Sequence, residues 1–207
     1  MHSQEGQQRE KLREDRAKAL YEAAKASIGV TEGLSSITRE IRELLSVMEA
    51  SERFTEALER EMAHHLTLIP YSKSILSLKG IKVVTAAGLI GEAGDFRKFR
   101  TLSEIMKLVG LDLYEISSGK HWGKRHISKR GRPLLRKLLY YAALNMIRKG
   151  GIMRHRYQRY LDSGMPKAKA LIAIARKLLI IIFAVVRDQS VYNKDFLTAS
   201  PLIKEAA

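Results

Sequence analysis

Residues 167–187 read KAKALIAIARKLLIIIFAVVR. The stretch from Leu171 to Val186 is apolar enough to raise the question of a membrane span, but it is short and it contains Arg176 and Lys177. We therefore predict a buried core helix over residues 167–187, with Pro166 in its first turn, and no membrane contact.

Shorter helices separated by glycine precede this run. The apolar spacing predicts helices over residues 75–78, 83–91, 103–109, 134–148 and 154–163, and Pro133 suits the first turn of the fourth. No helical period survives between Gly110 and Gly131, where residues 114–117 and 125–128 are compatible with a small two-stranded ribbon. We expect the chemistry to lie in this irregular stretch.

The N-terminal third carries a heptad pattern, which then slips near Ser51 and Thr55 while the helix is expected to continue. Gly29 and Gly33 bracket Thr31, a possible helix N-cap, so the same residues are also compatible with an antiparallel helical hairpin. The sequence leaves both alternatives open. The seam residues are Leu12, Arg16, Ala19, Ala23, Ala26, Val30, Leu34, Ile37, Ile41, Leu44 and Met48.

These patterns predict a mainly α protein in two parts. Residues 1–70 form a coiled coil or helical hairpin, and residues 71–207 form a compact helical domain. We expect that domain to contain a helix-hairpin-helix and a short irregular or β-ribbon loop.

Charge is distributed very unevenly along the chain. The formal net charge is +15; there are 10 Lys and Arg against 13 Asp and Glu up to Pro70, and 27 against 9 beyond it. A basic excess confined to one segment favours a polyanionic partner, because neutralising phosphates releases condensed counterions. Nucleic acid is the partner that the charge indicates.

Several classes of site are excluded. The chain has no cysteine, which rules out disulfides, thiolate metal sites and a cysteine nucleophile. The six histidines follow no metal-ligand spacing. The charged, Gln-rich N-terminus lacks the apolar core of a signal peptide, which argues against secretion.

Residues 75–87, ILSLKGIKVVTAA, have the outline of a helix-hairpin-helix. A glycine turn followed by a helix aims free backbone amides at a DNA phosphate without reading its sequence. Gly80 and Lys82 are the candidate nucleic-acid-binding residues. Lys82 stands where such hairpins usually have a second glycine, and an ordinary packed helix pair is the alternative.

Residues 116–137, ISSGKHWGKRHISKRGRPLLRK, place hydroxyls beside a dense cationic loop. A serine attacking a phosphodiester needs a proton acceptor and positive charge around the phosphorus. By itself a Ser-Gly pair indicates only a turn, and the loop only a phosphate-binding arm. The candidate nucleic-acid contacts, chosen by charge and proximity, are Lys120, Lys124, Arg125, Lys129, Arg130 and Arg132.

Five landmarks occur in order between Leu78 and Arg187: the hairpin with GEAGDF after it, LVGL at 108–111, SG at 118–119, ISKRG at 127–131 and AIARKLL at 173–179. With these landmarks the stretch resembles the C-terminal transposase domain of the insertion-sequence one-ten family, the RNA-guided transposases also called bridge recombinases. A coiled coil precedes this domain in that family, in agreement with the heptads.

The resemblance implies a catalytic role for one residue. The family's nucleophile is the serine directly before glycine in the irregular loop, which maps onto Ser118 and would form a transient phosphoserine link to DNA. Ser117 is its neighbour, but adjacent side chains of an extended segment face opposite ways.

The resemblance also implies a missing half. Full-length members carry an N-terminal ribonuclease-H-like domain with four metal-binding carboxylates, for which there is no room before Leu12. We therefore expect no metal site in this chain, Mg²⁺ only with that domain, and an enzyme fragment inactive alone. Glu92 and Asp95 are expected to cap or hydrate a helix.

The expected partners are DNA, a guide RNA and further copies of the chain through the coiled coil, in the cytoplasm and nucleoid of a prokaryote. A non-catalytic nucleic-acid-binding and oligomerisation module is the alternative function. A helical assembly protein with no nucleic-acid role is a third.

Overall fold

The computed structural model describes residues 2–27, 29, 32–115 and 126–192. The chain divides into two compact units, Met1–Phe54 and Thr55–Ala207. In chain order the elements are α1 (His2–Ala26), α2 (Leu34–Thr67), α3 (Ser72–Leu76), α4 (Val83–Ala93), a 3₁₀ helix (Phe96–Lys98), α5 (Leu102–Val109), β1 (Leu113–Tyr114), β2 (His126–Ile127), α6 (Pro133–Met146), α7 (Arg154–Asp162) and α8 (Lys167–Arg187). The mainly α prediction is confirmed.

The first unit is formed by α1 and the first part of α2. α2 continues through Ser51 and Thr55, as predicted, whereas α1 ends at Ala26 and α2 begins at Leu34, so no single helix carries the seam. The large seam side chains that the structure describes are 44–60% exposed; Ile37 is the least exposed of them and Leu44 the most. A packed hairpin would bury them, so one chain leaves this apolar seam open to solvent.

The second unit is built around α8. Every residue of α8 from Lys177 to Val186 is buried, and α3, α5, α6, α7 and the 3₁₀ helix pack against it. A helix that is apolar on all sides is stable only when it is surrounded in this way. The predicted core helix is confirmed with both of its predicted ends. Within the described parts of the chain, no helix combines the length and apolarity needed to cross a membrane.

Local signals set the ends of the helices that carry the site. The Thr101 side chain accepts a hydrogen bond from the Glu104 amide at 3.3 Å and starts α5. Gly110, with φ 72°, ends it in the left-handed conformation. Pro133 occupies the first turn of α6, as predicted, whereas Pro166 precedes the first residue of α8 as its N-cap.

Two contacts fix α4 in the unit. Gly88 faces α6, where a Cβ would lie 2.9 Å from Leu138 Cδ1, so the two helices approach closely. Beyond α4, the Phe96 amide donates a hydrogen bond to the buried Tyr71 hydroxyl at 3.3 Å, and the two rings meet edge to face. Burial raises the pKa of the Tyr71 phenol, although its hydrogen bond from Phe96 opposes this shift.

Candidate nucleic-acid interface

An antiparallel ribbon stands at the centre of the predicted site. β1 and β2 pair Leu113 with Ile127 and Tyr114 with His126. The strands begin at residues 113 and 126, each one residue away from the predicted starts at 114 and 125. The ribbon joins the two ends of the segment 116–125. Four candidate residues, Ser118, Lys120, Lys124 and Arg125, lie in that segment, outside the described residues.

A cavity of about 550 Å³ lies at the base of the ribbon. Its described lining carries two cations, one carboxylate and two hydroxyls, from Lys107, Asp112, Tyr114, Ser128 and Arg130. Lys107 and Arg130 are exposed, so a ligand reaches them from solvent. Two cations beside hydroxyls match the chemistry of a phosphate, which accepts hydrogen bonds and carries negative charge.

The carboxylate of this cavity is already engaged by protein groups. The Ser128 hydroxyl donates to Asp112 Oδ1 at 2.6 Å, and the Ser128 amide donates to the Asp112 carbonyl at 2.9 Å. Burial lowers the pKa of Arg176 on α8, and the Asp112 carboxylate opposes that shift. Asp112 therefore secures the ribbon base, and among the described lining residues Lys107 and Arg130 carry the positive charge.

The chain segments that lead into the ribbon cross each other backbone against backbone. A Cβ on Gly131 would overlap the Leu108 carbonyl oxygen and the Gly110 nitrogen. The Arg132 amide donates to the Leu108 carbonyl at 2.7 Å, and the Lys129 amide to the Gly110 carbonyl at 3.0 Å. We call this junction the glycine crossing. It brings together two of the landmarks, LVGL and ISKRG.

The three described candidates of the basic loop have different surroundings. Arg130 lines the cavity, whereas Lys129, which has a left-handed φ of 57°, lines a separate groove behind it. The Arg132 guanidinium donates to the carbonyl of Glu92, near the C-terminal end of α4. Arg132 is therefore a structural contact as well as an exposed cation.

The hairpin is a separate surface. The helices α3 and α4 flank a turn in which Gly80 has φ 114°, and a Cβ there would lie 3.0 Å from Met146 Cγ. Lys82 is the N-cap of α4, with no side-chain cap and an exposed side chain. Lys82 and Glu92 are ten residues apart, so the hairpin turn lies about 15 Å along α4 from the Arg132 contact.

Cations that the sequence analysis did not single out extend this second surface. Because Gly80 contacts Met146, the hairpin lies beside the end of α6, where Arg148 and Lys149 follow at exposed positions. Arg154 is also exposed and donates to the carbonyl of Ile147 at 3.3 Å. Their charge was visible in the sequence, but the contact that places them beside Gly80 was not.

A family model described as the transposase IS116/IS110/IS902 family matches residues 72–158. Residues 72–158 are therefore similar to that transposase family. The matched residues include the hairpin, both strands of the ribbon, the cavity and the glycine crossing. The matched stretch thus contains both cationic surfaces.

Known relatives agree with this assignment. The chain is 26% identical over 174 residues to the uncharacterized 43.6 kDa protein of insertion element IS110 from Streptomyces coelicolor, covering 84% of the chain and 43% of that protein. It is 28% identical over 163 residues to a probable family 20 transposase of Pseudomonas aeruginosa, covering 77% and 47%. The chain therefore spans less than half the length of these relatives.

Asp95, which follows α4, has a structural role in this domain. Asp95 caps the 3₁₀ helix by accepting from the Arg97 amide at 3.0 Å, and its carboxylate pairs with the Arg97 guanidinium. The hydrogen bond from that guanidinium lowers the pKa of the Asp95 carboxyl. This agrees with the predicted capping role. Among the described residues, no group of three or more His, Asp or Glu is placed to hold a metal ion.

Proposed function

We propose that this chain is the DNA-binding and strand-exchange part of an insertion-sequence transposase. The family match and the relatives support this role, since those of Pseudomonas aeruginosa and Yersinia enterocolitica are named as transposases. The observation that carries the proposal is the place of the ribbon. The paired residues Tyr114 and His126 flank the segment 116–125 in sequence, and Tyr114 lines a cavity whose described lining holds two cations, Lys107 and Arg130.

Ser118 is the proposed nucleophile. It lies four residues after Tyr114, so its Cα is within about 14 Å of the Cα of that cavity-lining residue even in a fully extended chain. Its oxygen attacks a DNA phosphorus, the bond to one strand's sugar oxygen breaks, and the serine proton leaves with that oxygen. The phosphoserine ester is then resolved by a hydroxyl of the exchanged strand, which restores the serine.

The cations have distinct parts in this scheme. Lys107 and Arg130 hold the scissile phosphate and offset the charge that builds up on its oxygens during attack. The remaining basic candidates, Lys120, Lys124, Arg125, Lys129 and Arg132, contact nucleic acid outside the reacting centre. Gly80 and Lys82 hold a DNA backbone at the hairpin, through the first-turn amides of α4 and the lysine charge.

Three further components complete the proposed enzyme. A ribonuclease-H-like domain, which the family resemblance implies, would supply Mg²⁺ and its carboxylate ligands. A guide RNA selects the DNA, since phosphate contacts carry no sequence information. Copies of the chain assemble through the exposed apolar seam of α1 and α2.

Covalent capture tests the nucleophile. The chain is mixed with the remaining part of a full-length relative, Mg²⁺, guide RNA and end-labelled element-end DNA nicked beside the expected cleavage site. We expect a denaturation-resistant adduct with wild type and with Ser117→Ala, and none with Ser118→Ala. Peptide mass spectrometry should place the phosphodiester on Ser118.

The same assay separates the proposed enzyme from a non-catalytic binding module. The presence of two cationic surfaces, the ribbon cavity and the hairpin, favours the module as the second candidate function, because binding nucleic acid requires nothing more. An adduct that persists in Ser118→Ala would contradict the proposed nucleophile. Tight DNA binding without an adduct in any arm would favour the module.

A further inference from the structure

A groove behind the ribbon is distinct from both surfaces described so far. It measures about 370 Å³ and is formed where α6 passes the ribbon end and α8. Lys137 and Tyr141 lie one helical turn apart on α6, with Tyr140 beside them, and Ile172 of α8 closes the groove. The described lining residues are Ile127, Lys129, Pro133, Arg136, Lys137, Tyr140, Tyr141 and Ile172.

The groove combines flat apolar surface with positive charge. Tyr141 is 53% exposed, so about half of its surface is open to a ligand. Tyr140 meets it edge to face, with 6.0 Å between ring centroids. Arg136 is engaged because its guanidinium donates to the Val109 carbonyl at 2.9 Å. Lys129 and Lys137 are exposed and remain as the groove's charges.

The backbone at Lys129 adds a second observation. A residue with a side chain seldom adopts a φ of 57°, and such strain is retained where the surroundings enforce it. Here the Lys129 amide is held by the Gly110 carbonyl at 3.0 Å. As a result Ser128 and Arg130 line the cavity, while Lys129 between them lines the groove. The crossing thus presents cations to both sites at once.

We propose that this groove binds an unpaired nucleotide of a single strand, whose base stacks on Tyr141 while Lys129 and Lys137 contact the flanking phosphates. A duplex keeps its bases inside the helix and offers only phosphates, so it would leave the exposed ring unused. Base–aromatic stacking with a cationic border is the general mode of single-strand binding. The inference rests on the nucleic-acid role proposed above and assigns it a further site.

Equilibrium binding in EDTA tests the groove without any strand cleavage. The probes are a fluorescent 12-nucleotide single-stranded DNA, the same sequence as RNA, and the corresponding DNA duplex. Tyr141→Ala should weaken single-strand binding about 5- to 100-fold and change duplex binding less than twofold. Tyr141→Phe should bind like wild type, because the ring is retained. The DNA and RNA arms show which strand the groove prefers.

Two controls make the result specific. Tyr21→Ala removes a similarly exposed tyrosine from α1 and should leave every affinity unchanged. Lys137→Gln should reduce the salt dependence of single-strand binding by about 0.7 in the log–log slope. A 2-aminopurine base in the DNA should lose fluorescence on binding to wild type and not on binding to Tyr141→Ala.

The proposed binding site in the groove would be contradicted if Tyr141→Ala kept its affinity for the single strand. An equal loss of affinity for single strand and duplex would contradict it as well. Either result leaves the adduct experiment on Ser118 untouched, so the two proposals fail independently. A wild-type chain that binds none of the three probes would contradict the nucleic-acid role itself.

Discussion

At Gly131 the space that a side chain needs is filled by backbone atoms. The atoms that a Cβ would overlap belong to Leu108, Val109 and Gly110, and none of them is the end of a movable side chain. Gly131→Ala should therefore lower the free energy of unfolding by about 2 kcal/mol or more, because the crossing must open. Urea denaturation followed by circular dichroism measures this change.

Gly91 provides the matched control on α4. A Cβ there meets nothing within 4 Å, and the residue is exposed and lies within a helix. Gly91→Ala should raise the free energy of unfolding by up to about 1 kcal/mol, since alanine favours the helix. Equal effects at the two glycines would show that the crossing is less tightly packed than its geometry indicates.

Tyr71 links stability to alkaline pH. Burial holds its folded-state pKa above the ordinary value of 10.0. Because a raised pKa favours the protonated phenol, the stability it contributes is complete below about pH 10 and is lost as pH rises through the folded-state value. The free energy of unfolding should therefore fall in this alkaline range. Burial also raises the pKa of Tyr192, which contributes to the same fall.

Tyr71→Phe separates the two tyrosines. It should cost about 1 kcal/mol at pH 7, because the Phe96 amide loses its acceptor. It should also make the alkaline fall smaller, leaving the share of Tyr192. Urea denaturation at pH 7 and at alkaline pH gives both values. If the free energy of unfolding falls equally at alkaline pH in Tyr71→Phe, a group other than Tyr71 must be titrating.

At the scale of elements, the helices were predictable because their signals are local. The predicted ends of the core helix are those observed, and residues 103–109 and 134–148 correspond to α5 and α6 within two residues. Gly110 marked the end of α5 in the sequence, and Pro133 marked the start of α6. The cavity was not predictable in the same way, because Lys107 comes near Ser128 and Arg130 only through the crossing. Charge and proximity in sequence identified Arg130 and missed Lys107.

The ribbon base offers a test at this scale. Ser128→Ala removes the 2.6 Å hydrogen bond to Asp112 and should cost about 1–2 kcal/mol, because a bond to a carboxylate is stronger than a neutral one. Hydrogen exchange at the Ser128 amide should also become faster. Ser103→Ala, at an exposed position of α5, should change stability by no more than about 0.5 kcal/mol. No faster exchange would mean that the pair does not hold the strands.

At the scale of the whole chain, apolar surface and basic charge belong to different regions. The exposed seam lies on α1 and α2, whereas the charge excess lies beyond Pro70. If the seam assembles copies, Ile41→Glu should convert an oligomer into smaller species, because a buried charge opposes association. Size-exclusion chromatography with light scattering measures the mass. Ser46→Glu, on the opposite side of α2, should leave it unchanged.

The basic charge beyond Pro70 should govern the binding of DNA. Binding of the chain to DNA should weaken steeply with salt, and Arg130→Gln should reduce the log–log slope by about 1 for duplex DNA. Lys167→Gln, at the exposed start of α8, should leave the slope within error. A slope that responds equally to both substitutions would indicate diffuse charge rather than a cavity.

The glycine crossing has a mechanical consequence. If the chain exchanges DNA strands as proposed, a force on the bound DNA acts on the cations that hold it. Lys107 stands on α5 and Arg130 shortly before α6, and the main chain at the end of α5 is hydrogen-bonded to the main chain that leads into α6. A force on these cations is thus transmitted to α5 and α6, and through their contacts to the buried helix α8. Moving Lys107 and Arg130 apart would therefore require the packing of α5 and α6 against α8 to change.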